Sequence, residues 1–206
     1  MYKCVILDVD GTIIDTLDAE LQCLQKVLNM RGIEADQKEL EFAFGVPTEK
    51  VFDRYGIKDI EEISTEWNNC MAKSISEEHI YDGILDVLEC LKNSNIVTGV
   101  VTSRTREELE RDFKPLGLFK YFKHIVCAED TENHKPHPDP LLKFLEISGQ
   151  NREDCIYVGD TIHDMKSANA ANIDFALAKW GAESPEYIDA AIVLDVPRDI
   201  LQLVKL

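Results

Sequence analysis

The chain has 206 residues, 45% of them hydrophobic and 30% charged, with a formal net charge of −17. That length suits one domain, or one domain with a small insert, and the acidic balance speaks against nucleic acid as a partner, because nucleic-acid binders concentrate basic charge. No stretch reaches the ~18 uninterrupted apolar residues of a membrane span, and Asp8 and Asp10 follow Lys3 too soon for a signal peptide, so a cytoplasmic protein without a membrane partner is expected.

Taken in chain order, the first element is an apolar run over residues 2–9 that drives into Asp8-Val9-Asp10-Gly11-Thr12. Two carboxylates this close repel, and each is driven toward protonation unless a cation holds it ionised. The pair therefore asks for a metal or a proton-transfer role. Residues from about 16 to 80 then read as helical. Leu17, Leu21, Leu24 and Leu28 share one helix face, as do Ile60, Ile63, Trp67, Met71 and Ile75, with shorter helical candidates over 39–44 and 49–55. The gap is too long for one crossover, so an all-helical insert is expected over 16–80, with exits near Asp15 and near Tyr81-Asp82-Gly83. Asp15 reads as a helix cap.

A second strand over 96–101 ends in Thr102-Ser103, and Thr105-Arg106-Glu107-Glu108 forms a capping box. Arg104 and Arg106 fit either capture of an anion or a solvated helix start. A third strand over 124–127 precedes a proline-rich turn, His134-Lys135-Pro136-His137-Pro138, and Asp139-Pro140 pairs an N-cap residue with proline at the first helical position. A fourth strand over 155–158 ends in Gly159-Asp160-Thr161-Ile162-His163-Asp164, and strands over 175–178 and 192–194 flank a second cap-plus-proline pair, Ser184-Pro185. Short Val/Ile-rich strands without clean alternation predict a parallel sheet covered on both faces, a doubly wound α/β core over 1–15 and 81–206. Ligands of such sheets bind outside the carboxyl ends of the strands, which would gather Asp8, Thr102 and Asp160. The six cysteines (4, 23, 70, 90, 127, 155) form no CxxC pair, and several lie in apolar runs, which predicts reduced, buried thiols.

The ordered set DxDGT at Asp8–Thr12, the strand-end Thr102-Ser103, the Lys-Pro-x-Pro lysine Lys135 and the GDxxxD segment Asp160–Asp164 resembles the four motifs of the haloacid dehalogenase superfamily of phosphohydrolases, over most of the chain. The resemblance implies a Rossmann-like core and places the helical insert where the family carries its type 1 cap. It implies Asp8 as nucleophile through an aspartyl-phosphate, and Asp10 as general acid and then base, its backbone carbonyl also a metal ligand. Asp8, Asp160 and Asp164 complete the Mg2+ group, a helix N-terminal acid being the alternative reading of Asp164. Thr102 and the Ser103 N–H would take the phosphoryl oxygens, Lys135 would neutralise nucleophile and phosphoryl group, and Gly11 and Thr12 would shape the phosphate turn.

Asp10 argues against a dehalogenase and a phosphonate-cleaving relative, both of which lack an acid there, and against a receiver domain that merely holds a phosphoryl group. A β-phosphoglucomutase-like sugar-phosphate mutase keeps both aspartates but needs a cationic group in the cap, and the loop Phe44-Gly45-Val46-Pro47-Thr48-Glu49 carries no arginine. Its Gly-x-Pro, and Gly159-Asp160 in the fourth motif, resemble phosphoglycolate-phosphatase-like members more. The expectation is a Mg2+-dependent phosphatase for a small phosphorylated metabolite, phosphoglycolate being the nearest named guess and a pyrophosphatase or nucleotidase the alternative. Phe44, Val46, Thr48 and Phe52 are the expected specificity positions, and a monomer is the default.

Overall fold

A computed structural model of the chain describes residues 1–43, 46, 48–76 and 79–205. Its centre is a parallel sheet of β1 (Cys4–Leu7), β2 (Val97–Val101), β3 (His124–Val126), β4 (Cys155–Gly159), β5 (Asp174–Ala178) and β6 (Ile192–Leu194), in the order β3-β2-β1-β4-β5-β6. Every residue of β1 and β4 is buried, which explains why their sequences are continuous apolar runs. Alternation along the strand divides them between two cores. Val5, Leu7, Ile156 and Val158 pack with α5 (Ile84–Lys92) and α6 (Arg106–Phe113) on one face. Cys4, Ile6, Cys155 and Tyr157 pack with α7 (Asp139–Ser148) and α8 (Ile162–Ala171) on the other.

The chain winds outward from β1 through β2 to β3, then returns to the opposite side of β1 as β4. The loops after β1 and β4 therefore leave the sheet in diverging directions, and the crevice between them is the expected ligand position of this topology.

Between β1 and α5 lie α1 (Leu17–Asn29), α2 (Gln37–Leu40), a 3-10 turn (Glu41–Ala43), α3 (Thr48–Arg54) and α4 (Ile60–Ser74). They surround a hydrophobic cluster of their own that includes Leu24, Leu28, Phe52, Ile63, Trp67 and Met71. The Phe52 and Trp67 rings meet edge to face at 6.2 Å. The two connections to the sheet run side by side: Asp15 N–H donates to the His79 carbonyl (2.7 Å) and Tyr81 N–H to that of Ile13 (3.1 Å). Among the described residues no helix is long and apolar enough to cross a membrane.

Several local expectations are corrected. Cys23 and Cys70 are joined by a disulfide across α1 and α4, where facing helix positions bring their Cα atoms to 5.7 Å, and Cys90 is exposed; only Cys4, Cys127 and Cys155 are buried free thiols. α1 is entered through Thr16, not Asp15. α7 begins one residue early, because Pro138 already holds helical angles (φ −74°, ψ −14°) and serves as N-cap, leaving Asp139 inside the first turn. Ser184-Pro185 opens only a 3-10 turn (Pro185–Tyr187), without a side-chain cap from Ser184. The helical candidate over 39–44 resolves into the end of α2 and the Glu41–Ala43 turn. Phe44, Gly45 and Pro47, which carry much of the Gly-x-Pro loop, lie outside the described residues.

Phe52 is fully buried in the α1–α4 cluster. Phe52→Ala is expected to lower the unfolding free energy by about 3–5 kcal/mol, read by urea denaturation, whereas a loss below about 1 kcal/mol would show that these helices do not depend on that ring.

Candidate active site

Asp8 sits one residue past β1, where its N–H still donates to the Val158 carbonyl of β4 at 2.9 Å. The pairing fixes its backbone at the β1/β4 switch point and buries its carboxylate. Lys135, from the turn after β3, places Nζ 2.9 Å from Asp8 Oδ2 and 2.7 Å from Asp164 Oδ1. Asp164 stands in the first turn of α8, in a reciprocal capping box with Thr161: Thr161 N–H donates to Oδ2 at 3.0 Å, and the Asp164 N–H donates to Thr161 Oγ1 at 3.2 Å. It is thus both a helix N-terminal acid and a partner of Lys135. Asp160, just past β4, accepts from Thr12 Oγ1 at 3.1 Å. One oxygen from each of Asp8, Asp160 and Asp164 lies within 4.8 Å of the others, the one such acidic group among the described residues.

Three buried carboxylates around one ammonium are unbalanced, and the acid strengths show it. Burial pushes Asp8 up to about 7, Asp164 and Asp10 adding to the push while Lys135 opposes it. Burial, Asp164 and Asp8 drive Asp160 well above the usual carboxylate range. Burial also acts to raise Asp164, but Lys135 and Thr161 outweigh it and hold the carboxyl low. Burial acts to lower Lys135, yet Asp164 and Asp8 keep it firmly protonated.

Asp10, two residues from Asp8, has a different surrounding. Arg104 reaches it through Nε (2.8 Å to Oδ2) and Nη2 (2.5 Å to Oδ1), and Thr16 Oγ1 donates to Oδ1 at 2.8 Å. Burial would raise Asp10, but the Arg104 guanidinium and the Thr16 hydroxyl bring it down to about 2. Glu20 of α1, also facing this group, is driven well above its ordinary value by burial and then by the Asp10 charge.

Around this centre, Thr102 is buried at the end of β2 and its Oγ1 accepts from the Arg104 N–H at 3.2 Å. Ser103, Gly11, Asp8, Asp10, Lys135 and Asp160 line a cleft of about 550 Å³ whose outer wall includes Tyr81, Trp180 and Tyr187. Gly11 is required on two counts: its φ is +68°, and a Cβ there would fall 2.1 Å from Asp160 Oδ2. Of the other predicted site residues, Thr12 bonds Asp160, Asp164 bonds Lys135 and Thr102 accepts from the Arg104 N–H.

Other parts were not foreseen. Tyr157 projects from β4 beneath the centre, its hydroxyl 2.9 Å from Asp164 Oδ1, 3.1 Å from the Val101 carbonyl and 3.2 Å from Lys135 Nζ; a polar-tipped ring within an apolar strand was its only signal. Trp180 Nε1 donates to the Thr12 carbonyl at 3.1 Å. Beside it Gly181 lies so close that a Cβ would sit 1.6 Å from the Gly11 carbonyl oxygen, and nothing in the sequence marked that contact. Arg104 is neither a free anion trap nor a solvated helix start, being buried between Asp10 and Asp112; Arg106 is exposed and pairs with Asp130 at 2.8 Å.

The fold agrees with the comparisons to known proteins. Residues 5–178 match the model of the haloacid dehalogenase-like hydrolases. The chain is 32% identical over 219 aligned residues, covering 100% of it and 98% of the relative, to the provisionally assigned pyrophosphatase PpaX of Clostridium perfringens. A structure of a provisionally assigned phosphoglycolate phosphatase of Lactobacillus plantarum superposes with a TM-score of 0.87 at 28% identity, over 99% of this chain and 100% of that one. A β-phosphoglucomutase of Clostridium difficile shares the fold, with a TM-score of 0.84 at 24% identity over 97% and 93% of the two chains. The chain belongs to the haloacid dehalogenase-like hydrolase family, and it is an enzyme of that family's phosphatase type.

The raised carboxyls carry a stability prediction. Without a cation, the folded chain binds protons at Asp8 and Asp160 more tightly than the unfolded chain does. Through Asp8 its stability should therefore fall as pH rises from about 4 through about 7, and Asp160 pushes in the same direction. Asp10 and Asp164, shifted the other way, lose their contribution only as pH falls below about 4. The EDTA-treated protein should melt higher at about pH 5.5 than at about pH 8, and Asp8→Asn should raise Tm at the higher pH. Calorimetry showing Tm rising with pH across that window would contradict the charge imbalance.

Proposed function

We propose that the chain is a Mg2+-dependent phosphatase for a small phosphorylated metabolite, working through a phosphoryl group carried on Asp8. The observation behind this reading is the buried Asp8 carboxylate held 2.9 Å from Lys135 at the switch point, with Asp160 and Asp164 in reach and a second acid two residues away.

The residues suit the metal. The excess negative charge that raises Asp8 and Asp160 calls for a cation, and an all-oxygen donor set favours a hard one. Asp8, Asp160 and the Asp10 backbone carbonyl would hold Mg2+, with Asp164 closing the acidic group. When bound, it supplies charge neutralisation to the phosphoryl oxygens.

In the first step an Asp8 oxygen attacks phosphorus as the bond to the leaving oxygen breaks, and Asp10, which must first leave Arg104 and take a proton from solvent, gives that proton to the leaving oxygen. In the second, water attacks the same phosphorus, Asp10 takes a proton from it, and the bond to Asp8 breaks. Phosphate leaves and the Asp8 carboxylate is restored, for a net addition of one water across the ester or anhydride bond. Lys135 favours the ionised form of Asp8 and shields the incoming oxygens, while Thr102 and the Ser103 N–H take the phosphoryl group. Residues 16–80 serve as a cap that opens for substrate and closes against water. Val46 and Phe52 line the recess they share with Asp10 and Arg104.

Similarity to PpaX supports pyrophosphate as substrate, and similarity to the Lactobacillus protein supports phosphoglycolate. The test is phosphate release across pyrophosphate, phosphoglycolate, other phosphometabolites and an aryl phosphate. Turnover should require Mg2+, disappear with EDTA and drop with Ca2+, whose looser coordination spoils in-line geometry. Asp8→Asn should lose at least about a hundredfold. Full activity in EDTA would remove the metal, and an active Asp8→Asn would remove the nucleophile.

A further inference from the structure

The chemistry at Asp8 leaves open what the phosphoryl group is taken from, and the outer wall of the cleft bears on that. A leaving group with a second anion needs a cation to meet it. Lys135 is the one lysine or arginine among the described residues that line the cleft. It is held between Asp8 and Asp164, where the transferring phosphoryl group arrives. Neighbouring guanidiniums are already committed. Arg104 gives Nε and Nη2 to Asp10 and Nη1 to Asp112. Arg111 gives Nε and Nη2 to Asp112 and Nη1 to Asn68. Arg54 stacks 3.8 Å over the Phe42 ring instead of lining the cleft. The lining on this side carries exposed carboxylates, Asp15 and Glu183. Burial and then the Asp15 charge push the Tyr81 hydroxyl above its ordinary value, so the wall lies in a negative field.

The rest of the wall is aromatic. Tyr81, Trp180 and Tyr187 line it. Trp180 is fixed by its Nε1 bond to the Thr12 carbonyl, and Tyr187 is 78% exposed at the end of the Pro185–Tyr187 turn. Among the described residues none of these three rings stacks on another ring. Aromatic surface left in water is stabilised when a flat apolar group covers it.

We propose that the cleft takes phosphomonoesters whose leaving alcohol is an uncharged aromatic lying against Trp180 and Tyr187, and disfavours substrates with a second anion on the leaving side. The proposal rests on the phosphatase reading above and narrows its substrate class. Pyrophosphate and phosphoglycolate, for which the relatives are named, both carry such an anion. Lys135 and a bound cation would meet only the phosphoryl group in transfer, so the second anion would face Asp15 and Glu183 without compensation.

The probes are 4-carbamoylphenyl phosphate and 4-carboxyphenyl phosphate. They are alike in shape and close in the acidity of the phenol released, but one is neutral and the other anionic at the far end. With Mg2+, kcat/KM should be about tenfold higher for the amide, the size expected of one like charge a few ångströms away near a protein surface. Added salt should narrow the gap, and Asp15→Asn should narrow it by about threefold. Tyr187→Ala should raise KM for the amide by about three- to tenfold with kcat little changed, while KM for pyrophosphate moves by less than about twofold.

Equal kcat/KM for the two esters, or a preference for the carboxylate, would overturn the exclusion of anions. An unchanged KM in Tyr187→Ala would overturn the aromatic subsite. Pyrophosphate used better than the amide would sink this proposal and leave the phosphatase reading standing. Phosphate release from none of these compounds, nor from the wider panel, would sink both. The two substituted side chains are exposed, so both variants should fold, which circular dichroism checks.

Discussion

The structure turns on the pairing of Lys135 with Asp8 and Asp164. All three are buried, and no two of them come from neighbouring elements. Asp8 leaves β1, Asp164 belongs to α8 after β4, and Lys135 arrives from the turn after β3, at the far edge of the sheet. The pairing therefore exists only when β1 and β4 lie side by side and the chain after β3 crosses back over the carboxyl ends. Two acids against one base still leave a buried excess charge, and Asp160 adds a third acid. Such an arrangement is poor for stability when considered alone, because desolvated like charges repel. On the proposed reading the excess charge is what a bound cation would neutralise.

The second constraint is that two carboxylates two residues apart behave as different chemical groups. Asp8 is pushed up to about 7 and Asp10 is brought down to about 2. The backbone explains how neighbours can differ so much. Asp8 continues the β1 ladder and faces Lys135 and α8, whereas Asp10 lies past the ladder, in the turn stabilised by Gly11, and faces Arg104 and Thr16. In paired acids the member with the raised value is ordinarily the proton donor, so the proposed roles require a cation to ionise Asp8 and release from Arg104 to protonate Asp10.

Much of this was legible in the residues. The central strands were visible because buried parallel strands are continuous apolar runs, and Asp8, Thr102 and Asp160 were visible as polar residues at the ends of such runs. The helical insert was legible from Leu21, Leu24 and Leu28 and from Ile63, Trp67 and Met71, whose spacing records one buried face each. What escaped depends on contacts between distant segments. Gly181 matters only because the β5 exit presses on Gly11, 170 residues earlier in sequence number. Cys23 and Cys70 meet only because α1 packs on α4. Arg104 read as a choice between two surface roles, since nothing local shows that α6 would bury it between two carboxylates.

The place of the helical insertion follows from the same geometry. It leaves the core just after Asp10 and returns at Tyr81, and the two connections are held together by the bonds between Asp15 and His79 and between Ile13 and Tyr81. A body attached through one paired connection can pivot without disturbing β1, β2 or β4, so Asp8, Lys135 and Asp160 keep their positions while the wall opposite them moves. Of the acids, Asp10 stands nearest the pivot and is the one bonded to both sides of it, through Arg104 in the core and Thr16 at the foot of α1. On the proposed reading, in which the α1–α4 helices close over the centre, Asp10 would be the group bonded to both bodies, through Arg104 on one side and Thr16 on the other.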